Sequence, residues 1–208
     1  MARYLSIHPD DPQPRFLAQA AEVLRAGGVV ALPTDSCYSL GCCLGDKDAV
    51  ERIRRIHGLD DRHHLTLMCR DLSEIAQFAR VDNAQYRLLK AATPGSYVFI
   101  LEGTKELPRR VLHPKRKTIG LRIPDHKVAL ALLEELGEPL LTSTLQLPED
   151  EEPLTEAWII QDRLDDHVEL ILDGGFCGTT PTTVIDLTSL PPTLVRAGRG
   201  PVDLFGLE

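Results

Sequence analysis

The chain lacks several things that would place it quickly. Its start, MARYLSIHPDDPQ, has no apolar core of signal-peptide length, and no segment approaches the roughly 18 apolar residues needed to cross a bilayer. A soluble, cytoplasmic protein with no membrane partner is expected. None of its five cysteines (Cys37, Cys42, Cys43, Cys69, Cys177) follows a C-x-x-C spacing. An odd number with two adjacent suits reduced thiols. There is no G-x-x-x-x-G-K-[ST], and Gly27 and Gly28 precede an apolar run instead of linking a strand to a helix, so the P-loop and the dinucleotide fingerprint are both excluded. Any phosphate must be held by side chains. No internal repeat or long linker is visible, and 208 residues suit a single domain burying roughly 70% of its unfolded surface.

The net charge of −8 argues at first against a nucleic-acid partner. Its distribution changes that. Residues 149–173 hold ten acids and one base, Arg163, so the rest of the chain balances to +1, and residues 105–122 carry seven Lys or Arg against Glu106 alone. A solvated surface is the plain reading of such runs. A phosphate-binding surface is the functional one.

Apolar periodicity predicts helices over 14–26, from Asp46 to Gly58 and over Asp125–Leu136, with shorter ones at 72–79, 82–91 and 155–165. Asp46 is a candidate N-cap, and Gly58 and Gly137 are candidate left-handed terminators. Short β-rich runs at 28–32, 65–69, 96–101, 118–123, 139–144, 168–172, 182–187 and 193–196 alternate with them. Such alternation argues for one α/β domain, a twisted mixed sheet with flanking helices and a large concave cleft. PEDEEP (148–153) reads as a loop.

Three runs end or begin in hydroxyl clusters: Thr34 and Ser36 after VVAL, Thr142 with Ser143 and Thr144 after PLL, and Thr179, Thr180, Thr182 and Thr183 before VIDL. Each alone is explained by turn chemistry. Together they mark the strand ends where open α/β sheets bind ligands. Arg122, inside IGLRIP, and Arg196, after PTLV, occupy similar positions, and a strand-borne Arg needs an anionic partner or a wet cleft. Structural salt bridges would satisfy each. A cleft for phosphate and carboxylate oxygens would satisfy both, and a nucleotide is the ligand it suits. His63, His64 and Cys69 lack a fourth ligand, so no metal site is assigned. Cys37 has no identifiable base and reads as core packing.

PTDSCYSLGC (33–42) resembles the P-T-[DE]-[ST]-x-Y-x-L-G-C signature of the YrdC/TsaC superfamily, and TPGSYVFIL, IGLRIP, PLLTSTLQL, PTTVIDL and VRAGRG follow in family order over nearly the whole chain. LTLMCRDLSE, KRKTIG and PTTVIDLT are similar to stretches of its YciO subgroup. The resemblance implies L-threonylcarbamoyladenylate synthase chemistry, in which L-threonine, bicarbonate and ATP give threonylcarbamoyl-AMP and pyrophosphate for tRNA modification, with Mg²⁺ on the phosphates. It implies that Thr34, Arg122, Thr182 and Thr183 hold the substrate and that Thr144, Gln146, Arg196 and His57 meet the nucleotide. No catalytic residue is assigned. The alternative is a binder of tRNA, other double-stranded RNA or the ribosome, without synthase activity, through Lys115, Arg116 and Lys117.

Two motifs depart from the family pattern. The synthases' K-x-R aligns with His57 and Leu59, and their S-x-N with Thr144 and Gln146. The first change removes two permanent cations, with Arg54, Arg55 and Arg62 nearby. At about 1.5–3 kcal/mol for each hydrogen bond to a charged group, the loss corresponds to a factor of about 10² to 10⁴.

Overall fold

The computed structural model describes residues 1–59 and 65–208, so His63, His64 and Arg62 lie outside the described residues. In chain order the elements are β1 (Arg3–Ser6), α1 (Pro14–Arg25), β2 (Val30–Leu32), β3 (Ser39–Cys43), α2 (Lys47–His57), β4 (Thr66–Met68), α3 (Leu72–Phe78), α4 (Asn83–Ala92), β5 (Tyr97–Glu102), β6 (Thr118–Arg122), α5 (Lys127–Leu136), β7 (Leu140–Thr144), α6 (Ala157–Leu164), β8 (Leu170–Asp173), β9 (Thr183–Asp186) and β10 (Thr193–Arg196). PEDEEP stays outside helix and strand.

Helix ends follow local chemistry. The Asp46 carboxylate accepts from the Ala49 amide at 2.9 Å and opens α2, and Gly58 closes it at φ 61°. Asp71 and Asp82 cap α3 and α4 in the same way. The helix expected from Asp125 begins instead at Lys127, because the His126 ring accepts from the Val128 amide.

The ten strands form one mixed sheet in the order β1-β8-β2-β3-β7-β4-β6-β5-β9-β10. Two strands, β1 and β3, fall outside the runs read from the sequence. β3 is short on apolar signal because Ser39 and Gly41 interrupt it, yet it pairs antiparallel with both β2 and β7. Gly41 has a packing reason: a Cβ there would stand 3.3 Å from Leu32.

Strand parity divides the sheet into two faces. Leu40, Leu67, Phe99, Leu101, Ile119, Leu121, Leu141 and Ile185 point into one core, together with Ile53 of α2, Ile75 of α3, Leu89 of α4 and Ile160 of α6. On the opposite face α1 and α5 cover Val30, Leu32, Met68, Leu140, Leu170 and Leu172. The rest of that second face, from β3 across to β10, is open and concave, and the hollow over it has a volume of about 620 Å³. No helix of the described residues is long and apolar enough to cross a membrane.

Candidate functional site

Alternation along the strands chooses what this hollow is lined with. Registered neighbours Thr142 and Thr66, Thr66 and Gly120, Ile100 and Gly120, and Val98 and Val184 all face it. Ser39, Arg122, Ser143, Thr144, Thr182 and Arg196 complete the floor, while His57, Leu59, Gln146, Leu147, Pro148 and Asp150 form a wall. Among the described residues the hydroxyls of Ser39, Thr66, Ser143 and Thr144 have no hydrogen-bond partner, so they are free to meet a ligand. Volume and polarity suit a small molecule the size of a nucleotide.

Arg122 is 4% exposed and could not stand there alone. Its Nη2 donates to the Asp35 carboxylate, an ion pair buried on both sides, and Nη1 reaches the Ser36 hydroxyl at 3.4 Å. The other Asp35 oxygen accepts from the Ser96 hydroxyl at 2.9 Å. Burial lowers the Arg122 pKa and the adjacent Asp35 charge opposes the shift. The Arg122 Nε remains buried with no partner. Asp35, not singled out in the sequence, is the counter-ion a buried strand arginine demands.

Arg196 is held differently. Its Nε and Nη2 donate to the Thr182 carbonyl at 3.1 and 2.8 Å, and Nη2 also donates to the Thr182 hydroxyl at 3.0 Å. Among the described residues Nη1 has no hydrogen bond, and no carboxylate pairs with this guanidinium.

Thr182 lines the hollow, but its neighbour Thr183 does not, being registered with the core residue Tyr97 while the next pair, Val184 and Val98, faces the hollow. Thr183 is fully buried. Its hydroxyl donates to the Gly200 carbonyl at 2.6 Å and accepts from the Gly198 amide at 3.1 Å, fastening the turn after Arg196. Gly198 must be glycine, since a Cβ would fall 2.4 Å from the Pro181 carbonyl oxygen. Thr34 is also buried beneath the site rather than lining it, donating to the Cys37 carbonyl at 2.6 Å and accepting from the Ser36 and Cys37 amides. Thr34 and Thr183, expected to hold substrate, lie outside the lining of this hollow, with their hydroxyls bonded to backbone groups.

His57 ends α2. Its Nδ1 donates to the Gln146 carbonyl at 3.0 Å, and its Nε2 is buried without a partner. Burial lowers its pKa, only partly offset by that hydrogen bond, so the ring is neutral at pH 7. Gln146 is exposed and donates from its amide to the Asp150 carbonyl, while the Asp150 carboxylate pairs with Arg163 at 3.3 Å. Cys37 lies beside the site, and burial raises its pKa against the opposing fields of Arg122, Arg196 and Arg199. It stays a thiol, as its reading as core packing requires. Lys115, Arg116 and Lys117 are exposed on the turn entering β6, and none of them lines the hollow. The described residues gather no three His, Cys, Asp or Glu side chains able to hold a metal.

The Sua5/YciO/YrdC family model, described as telomere recombination, matches residues 22–198. The chain belongs to this family. It is 54% identical over 205 residues to YciO of Escherichia coli K12, spanning 99% of this chain and all of that one. The crystal structure of E. coli YciO superposes with a TM-score of 0.95, covering 99% of this chain and 100% of that one. At greater distance it is 31% identical to the threonylcarbamoyl-AMP synthase of Bacillus subtilis, over 91% of this chain and 54% of that one. The structure of Pyrococcus abyssi Sua5 complexed with L-threonine matches at 27% identity and a TM-score of 0.88, over 96% of this chain and 58% of that one. The chain thus spans little more than half of these synthases.

Proposed function

We propose that the family member described here handles an adenylate, as a threonylcarbamoyl-AMP synthase or an enzyme of closely related adenylate-forming chemistry, with ATP and L-threonine as substrates and tRNA modification as its setting. The observation that carries the reading is the convergence of Arg122, Arg196 and Thr182 on one open hollow with four uncommitted hydroxyls. In such chemistry a carbamate oxygen attacks the α-phosphorus and pyrophosphate departs. The protein's part is to position the two reactants and stabilise the developing charge.

Each residue then has a physical task. Arg122, locked by Asp35 and Ser36, presents a guanidinium that does not reorganise when an anion arrives. Arg196, steered by the Thr182 carbonyl and hydroxyl, keeps Nη1 available for a phosphoryl oxygen. Thr144, Ser143 and Ser39 offer donors for ribose or carboxylate oxygens, Thr34 holds the turn that carries Asp35 and Ser36 against Arg122, and Thr183 holds the turn that follows Arg196.

The test is incubation of the pure protein with L-threonine, bicarbonate, ATP and Mg²⁺, and, in the opposite direction, with threonylcarbamoyl-AMP and pyrophosphate. Pyrophosphate release in one or ATP formation in the other, lowered at least about tenfold by Arg196→Ala through loss of a charged hydrogen bond, is the expected result. No turnover in either direction refutes it.

A second reading, RNA binding without synthesis, is favoured by the turn at 115–117, where three consecutive bases are exposed and form no ion pair among the described residues. It requires that Lys115, Arg116 and Lys117, changed together to Ala, weaken binding to structured RNA and reduce its salt dependence.

A further inference from the structure

Three hydrogen bonds fasten the turn after β10, yet the side chain it carries has no partner. The Thr183 hydroxyl donates to the Gly200 carbonyl and accepts from the Gly198 amide, and the Arg199 amide donates to the Pro181 carbonyl at 2.9 Å. These bonds fix residues 198–200 against the segment that delivers Thr182 to the hollow. Arg199 is exposed. Among the described residues its guanidinium makes no ion pair and no hydrogen bond.

That guanidinium stands beside the site. A Cβ on Gly178 would lie 3.6 Å from Arg199 Nη1 and 3.2 Å from the Ser36 carbonyl oxygen, so Arg199 and Ser36 flank the same glycine. Ser36 in turn meets Arg122 Nη1 through its hydroxyl. One residue therefore lies between the two arginines. Burial raises the pKa of the adjacent Cys37 thiol, and the fields of Arg122, Arg196 and Arg199 all oppose it, so the three guanidinium groups surround one point. Asp35 compensates Arg122. Arg196 and Arg199 pair with no carboxylate among the described residues, and this end of the hollow carries two uncompensated positive charges. Thr179 and Thr180 follow Gly178 on the same loop, Thr180 exposed and Thr179 half-buried. Among the described residues their hydroxyls make no hydrogen bond.

Two uncompensated like charges at one end of a site repel, and an anion between them removes that cost. A carboxylate brings one charge. A terminal phosphoryl group brings about −1.5 to −2 near pH 7 and three acceptor oxygens, which match two guanidinium forks. We propose that Arg199 is a second ligand-binding cation, clamping with Arg196 a doubly charged phosphoryl group, of a nucleotide or of free phosphate or pyrophosphate, with Thr179 and Thr180 as supporting donors. It deepens the reading that the site handles an adenylate, by naming the groups that hold the phosphate charge. Arg199 stands at the margin of the hollow rather than in its lining, as suits an arm that reaches over a group seated on Arg196 and Thr182.

Isothermal titration of the whole protein with AMP, adenosine, inorganic phosphate and pyrophosphate tests this, on the wild type, Arg199→Ala and Arg199→Glu. AMP is expected to bind about tenfold or more tighter than adenosine, and Arg199→Ala to weaken AMP about tenfold while leaving adenosine unchanged, the scale of one charge-assisted hydrogen bond. The charge reversal should weaken AMP further. Urea midpoints equal to that of the wild type separate loss of binding from loss of fold, and the comparison of AMP with adenosine stands without either variant. AMP affinity unaffected by both substitutions overturns the clamp and leaves the adenylate reading standing. AMP no tighter than adenosine does the same. Phosphate or pyrophosphate binding that weakens about tenfold in Arg199→Ala, with no adenine compound bound, upholds the clamp and ends the adenylate reading. Binding of none of the four compounds ends both.

Discussion

At the scale of single residues, the Arg122–Asp35 pair governs the site. Breaking a buried pair leaves an uncompensated charge, which costs about 3–5 kcal/mol. Asp35→Ala is therefore expected to lower the urea midpoint strongly, by more than Ser36→Ala. His57 gives a second prediction, with a definite sign. Its folded pKa lies below the usual 6.5, so between the two values the unfolded chain binds more protons than the folded one. Stability is unaffected by this group above about pH 6.5 and falls as the pH drops through that value, and His126, lowered chiefly by burial, adds to the slope. Replacing His57 by Gln should flatten part of the slope measured by urea unfolding from pH 7.5 to 5. A slope identical to the wild type would refute the assignment. The hydroxyl clusters and both arginines were legible as residue types. Their partners were not, because Asp35 sits three-dimensionally opposite a strand 87 residues away.

At the scale of elements, the frame of the wall depends on the two ends of α2. Asp46→Ala removes the cap on the Ala49 amide and should cost about 1 kcal/mol. Gly58→Ala forces a side chain into the left-handed region and towards Pro148, and should cost at least about 1–2 kcal/mol. Chemical denaturation measures both, and a neutral Gly58→Ala would contradict the close packing. These caps could be read from sequence because capping is local. β3 could not, since a strand carrying Ser39 and Gly41 is recognised by its neighbours β2 and β7 rather than by its own apolar content. Adjacent Thr182 and Thr183 show the same limit: composition counts both, and only the pleat decides that one faces the hollow while the other ties down the turn at Gly198 and Gly200.

At the scale of the whole molecule, alternating apolar and helical runs made the mixed α/β sheet legible, and the family pattern fixed the order of its parts. The strand order was beyond reach, because nothing local says that β8 inserts between β1 and β2. All five cysteines are free and buried in this body. Burial raises the pKa values of Cys42 and Cys177, to about 12 and about 11, and raises Cys37 and Cys69 as well. Native protein at pH 7.5 should accordingly react slowly with a chromogenic thiol reagent and release five equivalents once denatured. Rapid reaction of one thiol in the native state would show that the fold opens at that cysteine.

The hollow rests on seven strands that are consecutive in the sheet, from Ser39 on β3 to Arg196 on the edge strand β10. An occupant touching both ends is thus a brace across most of the sheet's width. Amide deuteration at the β9–β10 margin should slow on ligation even though the bound molecule leaves most of those amides untouched, which turns the outermost strand into a gauge of whether the hollow is filled.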